Sequence, residues 1–189
     1  MNPNTWVTSD THFYHKNILK YNAESRPYAN IDEMHEDIID KWNTRVQPND
    51  TIYHLGDFGF ANPRKIEGIL QQLNGNIRLV MGNHDRVMSN QHLAKYFEWM
   101  KDYHEAKVAG VKVCLFHFPI AEWNSAHHGS IHLHGHLHSN RVYGRSMDAG
   151  CDSNMCTPYN LVDLVEELSQ LPIVSEYHEV RDGDEHIRK

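Results

Sequence analysis

Five short β-prone segments of this 189-residue chain each run directly into a turn rich in Asp, Asn or His. Ligands of open α/β sheets bind beyond the carboxyl ends of the strands, and side chains two positions apart on an extended segment point the same way. The pattern therefore predicts a bowl of carboxylate, amide and imidazole groups at one edge of a sheet. In chain order the turns contain Asp10 and His12, Asp57, Asn83-His84-Asp85, His117, and His136 and His138.

The apolar residues between these turns predict alternating strands and helices. Residues 31–46 have apolar side chains at helical spacing, with Asp32 or Asn30 as the cap and Gln47-Pro48 at the end. Strand and helix alternate up to residue 81, which indicates an α/β sheet with parallel neighbours, and Gly110 then separates the arms of a hairpin. The predicted strands are 5–8, 51–55, 76–81, 105–109, 111–116 and 130–134, and the predicted helices are 31–46, 63–73 and 160–170.

Length and composition indicate one globular domain over residues 1–189, with a core at about 4–170 and a polar tail at 176–189. The chain is 40% hydrophobic and 23% charged, as globular proteins ordinarily are. No apolar run approaches the roughly 20 residues that span a bilayer, and the first residues lack the pattern of a signal peptide. Three Cys residues are too few for a disulfide framework, so we expect a cytoplasmic protein with no membrane partner. The oligomeric state is left open.

The chain contains 16 His residues, an excess that calls for a metal or acid–base explanation. Imidazole is the commonest metal ligand in proteins. A mixture of imidazole nitrogen and carboxylate oxygen favours Mn²⁺, Fe²⁺, Co²⁺, Ni²⁺ or Zn²⁺ over Ca²⁺, which prefers oxygen alone. The polar turns are therefore candidate ligands for a divalent transition metal.

Taken together and in order, the five polar turns resemble the five sequence blocks of the calcineurin-like metallophosphoesterases. The resemblance extends over about residues 4–170. It implies an α/β (α+β) fold, a four-layer αββα sandwich of two mixed β-sheets flanked by helices, with a two-metal site at one end. It assigns Asp10, His12 and His138 to one metal and Asn83, His117 and His136 to the other, with Asp57 bridging them, His84 as the catalytic histidine and Asp85 as the residue that orients it.

The chemistry of such a site follows from its charge. Two divalent ions with Asp10 and Asp57 leave a site of about +2, or about +1 with a bridging hydroxide, which attracts an anionic phosphoryl group. The paired ions lower the pKa of the shared water and hold it for in-line attack. His84 is then placed to protonate the leaving oxygen as general acid. Two ions per chain are expected, Mn²⁺ first, with Fe²⁺, Ni²⁺, Co²⁺ or Zn²⁺ as alternatives.

The segment from Phe13 to Tyr28 follows the first polar turn and is the best candidate for substrate recognition. His15, Asn17 and Arg26 are candidate substrate-binding residues, since Arg suits a bidentate grip on phosphate. The alternative for Arg26 is an ordinary ion pair with a nearby acid such as Glu24.

The remaining histidines have less specific interpretations. His132 and His134 lie on a predicted strand and act as strand residues or as support behind the ligands, and His54 has a similar core or supporting position. Cys151 and Cys156 lack a second pair, which argues against a structural zinc site. Surface positions are expected for the others: His35, His92, His104, His127, His128, His178 and His186.

These features predict a two-metal phosphoesterase that hydrolyses phosphate mono- or diesters of a small phosphorylated substrate, possibly a nucleotide. One alternative is a metal-dependent nuclease or nucleic-acid end-processing phosphatase, which would need a basic groove. The 18 basic against 25 acidic residues give a net charge of −7, which disfavours nucleic acid as a partner. A second alternative is an inert scaffold of the same fold, which the complete ligand set disfavours.

Overall fold

The computed structural model describes residues 4–173. The tail predicted at 176–189, with His178 and His186, lies outside the described residues, as do residues 1–3.

The described residues form ten strands, five α-helices and three short 3-10 helices. The strands are β1 Thr5–Thr8, β2 Thr51–His54, β3 Asn76–Val80, β4 Phe97–Lys101, β5 Tyr103–Val108, β6 Val111–Phe116, β7 Ile131–His134, β8 Val142–Tyr143, β9 Ser146–Asp148 and β10 Tyr159–Asn160. The α-helices are α1 Ile18–Tyr21, α2 Ile31–Arg45, α3 Pro63–Leu70, α4 Gln91–Ala94 and α5 Leu161–Ser169. The 3-10 helices are Asp85–Ser89, Ala126–His128 and Cys151–Ser153.

The strands form two mixed five-stranded sheets. The first has the order β10-β1-β2-β3-β4, in which β1 to β4 are parallel and β10 is antiparallel to β1. The second has the order β5-β6-β7-β9-β8, with a parallel centre and an antiparallel pair at each edge. The expected α/β architecture of two mixed sheets is confirmed.

Alternating side chains of the central strands separate two apolar layers, as the pleat of a strand requires. Ile52 of β2 packs in a cluster with residues of α2 and α3. Its neighbour Tyr53 packs in a second cluster, which contains residues of the other sheet and of α5. The second cluster is therefore the core between the sheets, and α2 and α3 cover the outer face of the first sheet.

The outer face of the second sheet carries a thinner layer. Cys114 of β6 packs there against Trp123 and Ala126, which belong to a loop that contains a single 3-10 turn. Among the described residues, no helix is long and apolar enough to cross a membrane.

Local signals explain where the main helices begin. The side chain of Asn30 accepts hydrogen bonds from the backbone N–H groups of Asp32 and Glu33 and so caps α2. Asn62 caps α3 in the same way, with Pro63 in the first helical turn, and Asn160 caps α5. Each cap fixes the start of a helix whose buried face the apolar spacing predicts.

Candidate metal centre

The predicted polar turns lie together at the carboxyl ends of β1, β2 and β3 in one sheet and of β6 and β7 in the other. Backbone hydrogen bonds join them: the N–H of Asp10 donates to the carbonyl of Gly56 over 2.9 Å, and the N–H of His12 donates to that of Asp57 over 3.1 Å. In the second sheet, the N–H of Gly135 donates to the carbonyl of His117 over 3.0 Å. These backbone hydrogen bonds therefore fix the positions of the loops relative to one another.

Several predicted ligands have a backbone conformation that is rare for residues other than glycine. Their φ angles lie between 49° and 70°, in the left-handed region, and the residues concerned are Asp10, His12, Asp57, His136 and His138. Non-glycine residues in this region are strained and persist where the surrounding structure holds them, often at functional sites. Their side chains converge at the carboxyl ends of the strands.

Two glycines allow these loops to approach closely. A Cβ atom at Gly56, whose φ is +101°, would lie 2.7 Å from Nδ1 of His117 and 2.6 Å from the backbone nitrogen of Gly82. A Cβ atom at Gly135 would lie 2.2 Å from Oδ2 of Asp10. Any side chain at either position would therefore displace a predicted ligand.

The first group of converging atoms comes from Asp10, His12 and His138. Nε2 of His12 lies 3.6 Å from Oδ1 of Asp10, and Nε2 of His138 lies 3.7 Å from the same oxygen. Oδ2 of Asp57 lies 3.7 Å from Nε2 of His12. These separations are too long for hydrogen bonds and short enough for one cation, whose bonds to nitrogen and oxygen are about 2.0–2.2 Å.

The second group includes Asp57, Asn83 and His117. Nε2 of His117 lies 3.6 Å from Oδ2 of Asp57 and 2.9 Å from Oδ1 of Asn83. The same carboxylate oxygen of Asp57 thus faces both groups. His136 is exposed beside them: its ring centroid lies 5.2 Å from that of His117, and its backbone N–H donates to Oδ2 of Asp10.

The hydrogen-bond pattern of these side chains fits metal ions. Oδ1 of Asp10 and Nε2 of His12 are buried without a hydrogen-bond partner among the described residues, and unpaired buried polar atoms are costly. Nδ1 of His117 bonds the carbonyl of Leu55 over 2.8 Å, and Nδ1 of His12 lies 2.9 Å from that of His15. Nδ1 of each ring is engaged, so Nε2 is the nitrogen that would face a cation, in His117 beside Oδ1 of Asn83.

His138 has the strongest such partner. Its Nδ1 lies 2.6 Å from Oδ2 of Asp152. Burial acts to lower the pKa of His138, but the bond to Asp152 and the charge of Asp10 outweigh it and raise the pKa above its ordinary value. Burial likewise acts to raise the pKa of Asp10, but His12, His138 and His117 outweigh it and hold that pKa well below its usual range. The carboxylate of Asp10 is therefore ionised before any cation enters.

The structure gives His84 and Asp85 different environments. His84 is exposed at the rim, with its ring centroid 4.6 Å from that of Phe60 and its backbone N–H donating to Oδ1 of Asp57. The buried carboxylate of Asp85 accepts hydrogen bonds from the backbone N–H groups of Asp57, Phe58 and Gly82 over 2.8 to 2.9 Å. Asp85 thus joins the turn after β2 to the turn after β3, and its role in orienting His84 stays a prediction.

Arg26 does not face the site opening. Its side chain is 1% exposed, its Nε and Nη2 donate to the carboxylate of Asp152, and Nη2 also donates to the carbonyl of Asp10 over 2.6 Å. The prediction of a substrate contact is wrong because every guanidinium nitrogen is used internally. The alternative, an ion pair with an acid, is confirmed, but the acid is Asp152 and not Glu24.

The other two predicted substrate residues differ from each other. His15 is half-buried, with its ring stacked 4.2 Å from Phe60. Burial lowers the pKa of His15 to about 4, with contributions from His12 and His84. Asn17 is exposed immediately before α1. His15 thus lies directly behind a predicted ligand, and Asn17 lies farther out on the same segment.

Two histidines expected at the surface lie elsewhere. His35 is 6% exposed because its Nε2 accepts the N–H of Tyr14 on the buried face of α2. His104 is half-buried because its ring packs 4.7 Å from that of Trp99. The exposed positions of His92, His127 and His128 are confirmed.

The supporting positions expected for three further histidines are confirmed. His54 is buried, with Nε2 3.1 Å from the hydroxyl of Thr11 and Nδ1 accepting the N–H of Gly56. His132 is buried in β7, where Nε2 accepts the N–H of Ile120. Nδ1 of His134 lies 2.8 Å from the carbonyl of Gly135. All three hold loops that carry predicted ligands.

Sequence reasoning missed Asp152, the acid that joins Arg26 and His138. It follows β9, whose three residues, Ser146–Asp148, are too few to show a strand pattern. Recognition of β9 would have placed a sixth polar turn at the carboxyl end of a parallel strand, by the rule that identified the other five.

Comparison with known proteins agrees with this geometry. The sequence matches the Calcineurin-like phosphoesterase superfamily domain over residues 4–148. The uncharacterized protein MJ1445 of Methanocaldococcus jannaschii is 34% identical over 139 residues, which cover 72% of this chain and 70% of that protein. The gene 66 protein of Mycobacterium phage L5 is 27% identical over an alignment of 203 residues, covering 88% of this chain and 96% of that protein.

A solved structure supports the same comparison. The protein of unknown function AQ665 from Aquifex aeolicus superposes with a TM-score of 0.66 at 29% identity, covering 82% of this chain and 93% of that one. The matched range 4–148 contains every residue of the two converging groups.

Proposed function

This chain belongs to the calcineurin-like phosphoesterase superfamily, and we propose that it uses two divalent metal ions to hydrolyse phosphate mono- or diesters of a small substrate. Family and converging donors together support a metal-dependent hydrolase of phosphoester bonds. The number of ions, the class of ester and the roles of single residues belong to the proposal.

One observation carries the proposal: a single carboxylate oxygen of Asp57 faces both groups of donors. It lies 3.7 Å from Nε2 of His12 and 3.6 Å from Nε2 of His117. A carboxylate in that position suits a bridge between two cations better than a ligand of one. Asp10, His12 and His138 would hold the first ion, and Asn83, His117 and His136 the second.

Two divalent ions bound there supply the charge that neutralises a phosphoryl group and the field that acidifies water. The protein contributes the rest. The loops fix the donors, and the carboxylates of Asp10 and Asp57 balance part of the charge of two divalent ions, which leaves about +2 to attract an anion. The exposed imidazole of His84 lies at the rim, where a leaving oxygen has access to it, and holds the proton that this oxygen receives.

The donor set restricts the choice of ion. Four imidazoles and an amide oxygen accompany the two carboxylates, a mixture that suits Mn²⁺, Fe²⁺, Co²⁺, Ni²⁺ or Zn²⁺. We propose Mn²⁺ as the first ion to test. A metal-dependent nuclease is the alternative function, and the net charge of −7 disfavours it.

The test compares Asp57→Asn with a matched control, Asp102→Asn, whose carboxylate is exposed in the turn between β4 and β5. We expect the wild-type and control proteins to bind about two Mn²⁺ per chain and to hydrolyse bis-p-nitrophenyl phosphate. Asp57→Asn should lose at least one ion and most of the activity, because the bridging charge is gone.

Three other outcomes overturn parts of the proposal. An Asp57→Asn protein that keeps two ions and full activity would show that Asp57 does not bridge the ions. Cleavage of oligonucleotides in preference to small esters favours the nuclease. A wild-type protein that is inert with every ion tested favours the scaffold.

A further inference from the structure

A groove lies directly beside the metal centre, on the side of His138. It has a volume of about 550 Å³, within the range of ligand pockets. One wall is the segment that contains α1 and the residues after it, and the other is the turn that follows β7. Its lining includes Lys20, Tyr21, Asn22, Glu24, Ser139 and Asn140.

The groove is continuous with the site because His138 belongs to both. Nε2 of His138 lies 3.7 Å from Oδ1 of Asp10, and the same residue lines the groove. A phosphoryl group bound at the proposed metal site would therefore have its substituent next to this space. Asp152, at the floor, adds no free charge, since it pairs with Arg26 over 2.7 Å.

The most informative lining residue is Tyr21, which is 71% exposed. Its ring contacts that of His15 edge-on at 6.2 Å, and His15 in turn lies against the predicted ligand His12. An exposed aromatic ring at this distance from the ligands offers a stacking surface to a planar group.

The polar lining restricts the ligand further. Asn22, Asn140 and Ser139 offer both donors and acceptors, which suit the edge of a heterocyclic base. Glu24 accepts hydrogen bonds from hydroxyl groups and repels additional anions, whereas Lys20 alone supplies a positive charge. A polyanion fits such a lining poorly, and a sugar that carries a base fits it well.

We propose that this groove binds the nucleoside part of a nucleotide or nucleotide ester, with the base stacked on Tyr21. The proposal rests on the proposed function, because the phosphoryl group is placed by the metal-binding residues. It names Tyr21 as a specificity-determining residue that does not take part in the reaction.

The experiment compares adenosine 5′-monophosphate, ribose 5-phosphate and inorganic phosphate as competitors of bis-p-nitrophenyl phosphate hydrolysis by the Mn²⁺-loaded protein. We expect the nucleotide to compete at a concentration at least about tenfold lower than ribose 5-phosphate. In Tyr21→Ala the inhibition constant of the nucleotide should rise about 5- to 150-fold, the range for loss of one base–aromatic stack. The inhibition constant of inorganic phosphate should change by less than about twofold, because phosphate does not reach the groove.

Two further variants make the comparison specific. Tyr21→Phe keeps the ring and should retain the nucleotide preference. Tyr103→Ala removes another exposed tyrosine ring on β5 of the second sheet and should leave all three competitors unchanged. Saturation-transfer NMR provides a readout without turnover: the adenine protons should receive saturation from the wild-type and Tyr21→Phe proteins and much less from Tyr21→Ala.

Equal competition by the nucleotide and ribose 5-phosphate, or an unchanged ratio in Tyr21→Ala, overturns the groove assignment while hydrolysis and metal binding stand. Loss of hydrolysis and metal binding in the wild-type protein overturns the proposed function instead. The NMR measurement on that protein still decides whether the groove binds the base.

Discussion

The exposed imidazole of His84 and the buried imidazoles around it have separate tasks. The ring of His84 lies 6.4 Å from that of His12, while its backbone N–H holds Oδ1 of Asp57. A change of the side chain therefore removes the imidazole and leaves the backbone contact to the proposed bridge in place.

We expect His84→Ala to lower kcat about 10²- to 10⁴-fold, the usual contribution of a general acid, with no loss of bound Mn²⁺. The measurements are single-turnover kinetics and metal content of the same preparation. His92→Ala, at an exposed position on α4, is the matched control and should behave as wild type. A His84→Ala protein that loses an ion would identify His84 as a ligand, and one with full activity would remove it from the reaction.

At single positions, the chemical type of a site residue could be predicted from the sequence more accurately than its burial could. Asp10, His12, Asp57 and His117 could be recognised because their spacing and order are distinctive. Arg26 could not be interpreted correctly, since its partner lies 126 residues away and pairs with it in the interior. A guanidinium in a loop has the same sequence appearance whether it faces a ligand or a buried carboxylate.

At the scale of elements, the pair Arg26–Asp152 joins segments that are distant in sequence. Arg26 lies between α1 and α2 and also donates to the carbonyl of Thr11, while Asp152 lies in the 3-10 turn after β9 and bonds His138. The pair thus connects the turn after β1 in one sheet with the turns after β7 and β9 in the other. Both side chains are fully buried.

We expect Asp152→Asn to weaken Mn²⁺ binding about 10- to 100-fold, the usual effect of losing a partner behind a metal-bound histidine. The neutral amide cannot support the raised pKa of His138 or balance the charge of Arg26, so the metal-free protein should also unfold at lower temperature. Calorimetric titration and thermal unfolding are the measurements.

Asp40→Asn on the exposed side of α2 is the control for Asp152→Asn and should change neither quantity. Wild-type Mn²⁺ affinity in Asp152→Asn would show that the carboxylate does not support His138.

The longer helices and most strands of four or more residues were predicted, whereas the two-residue strands and β4 were missed. The cap at Asn30 and the spacing of Met34, Ile38 and Trp42 predict α2 almost to its ends. The strands β8 and β10 have two residues each, too few for any periodicity. β4 was missed because its sequence, FEWMK, does not alternate between apolar and polar residues.

At the scale of the whole molecule, buried histidines make stability depend on pH. Burial lowers the pKa of His54 to about 3 and that of His132 to about 4, from an ordinary value of 6.5. The pKa values of His12, His35 and His134 shift in the same direction, again because of burial. Below pH 6.5 the unfolded chain therefore binds protons that the folded protein excludes.

Asp148 and Asp85 act with the opposite sign. Burial raises the pKa of Asp148 to about 7, with a contribution from Asp10, and burial also raises that of Asp85. These two carboxyl groups bind protons more readily in the folded protein, so their protonation stabilises the folded protein as the pH falls from 7. Their contribution offsets part of the stability that the larger set of buried imidazoles removes as the pH falls.

We expect the free energy of unfolding of the metal-free protein to fall between pH 6.5 and pH 4, because it decreases wherever the unfolded state binds more protons. Urea unfolding at pH 7.0, 6.0 and 5.0 measures this slope. His132→Gln should show a shallower slope, and His128→Gln, at an exposed position, should match wild type. A flat profile over this range would contradict the assignment of neutral buried imidazoles.

The division of the ligands between two sheets has a thermodynamic consequence. Asp10, His12, Asp57 and Asn83 extend from the first sheet, whereas His117, His136 and His138 extend from the second. An ion bound by both sets resists any motion that separates the layers, and its binding free energy adds to their cohesion. Chelation should therefore accelerate amide hydrogen exchange in β1 and β7 together, as one cooperative unit that spans the interior.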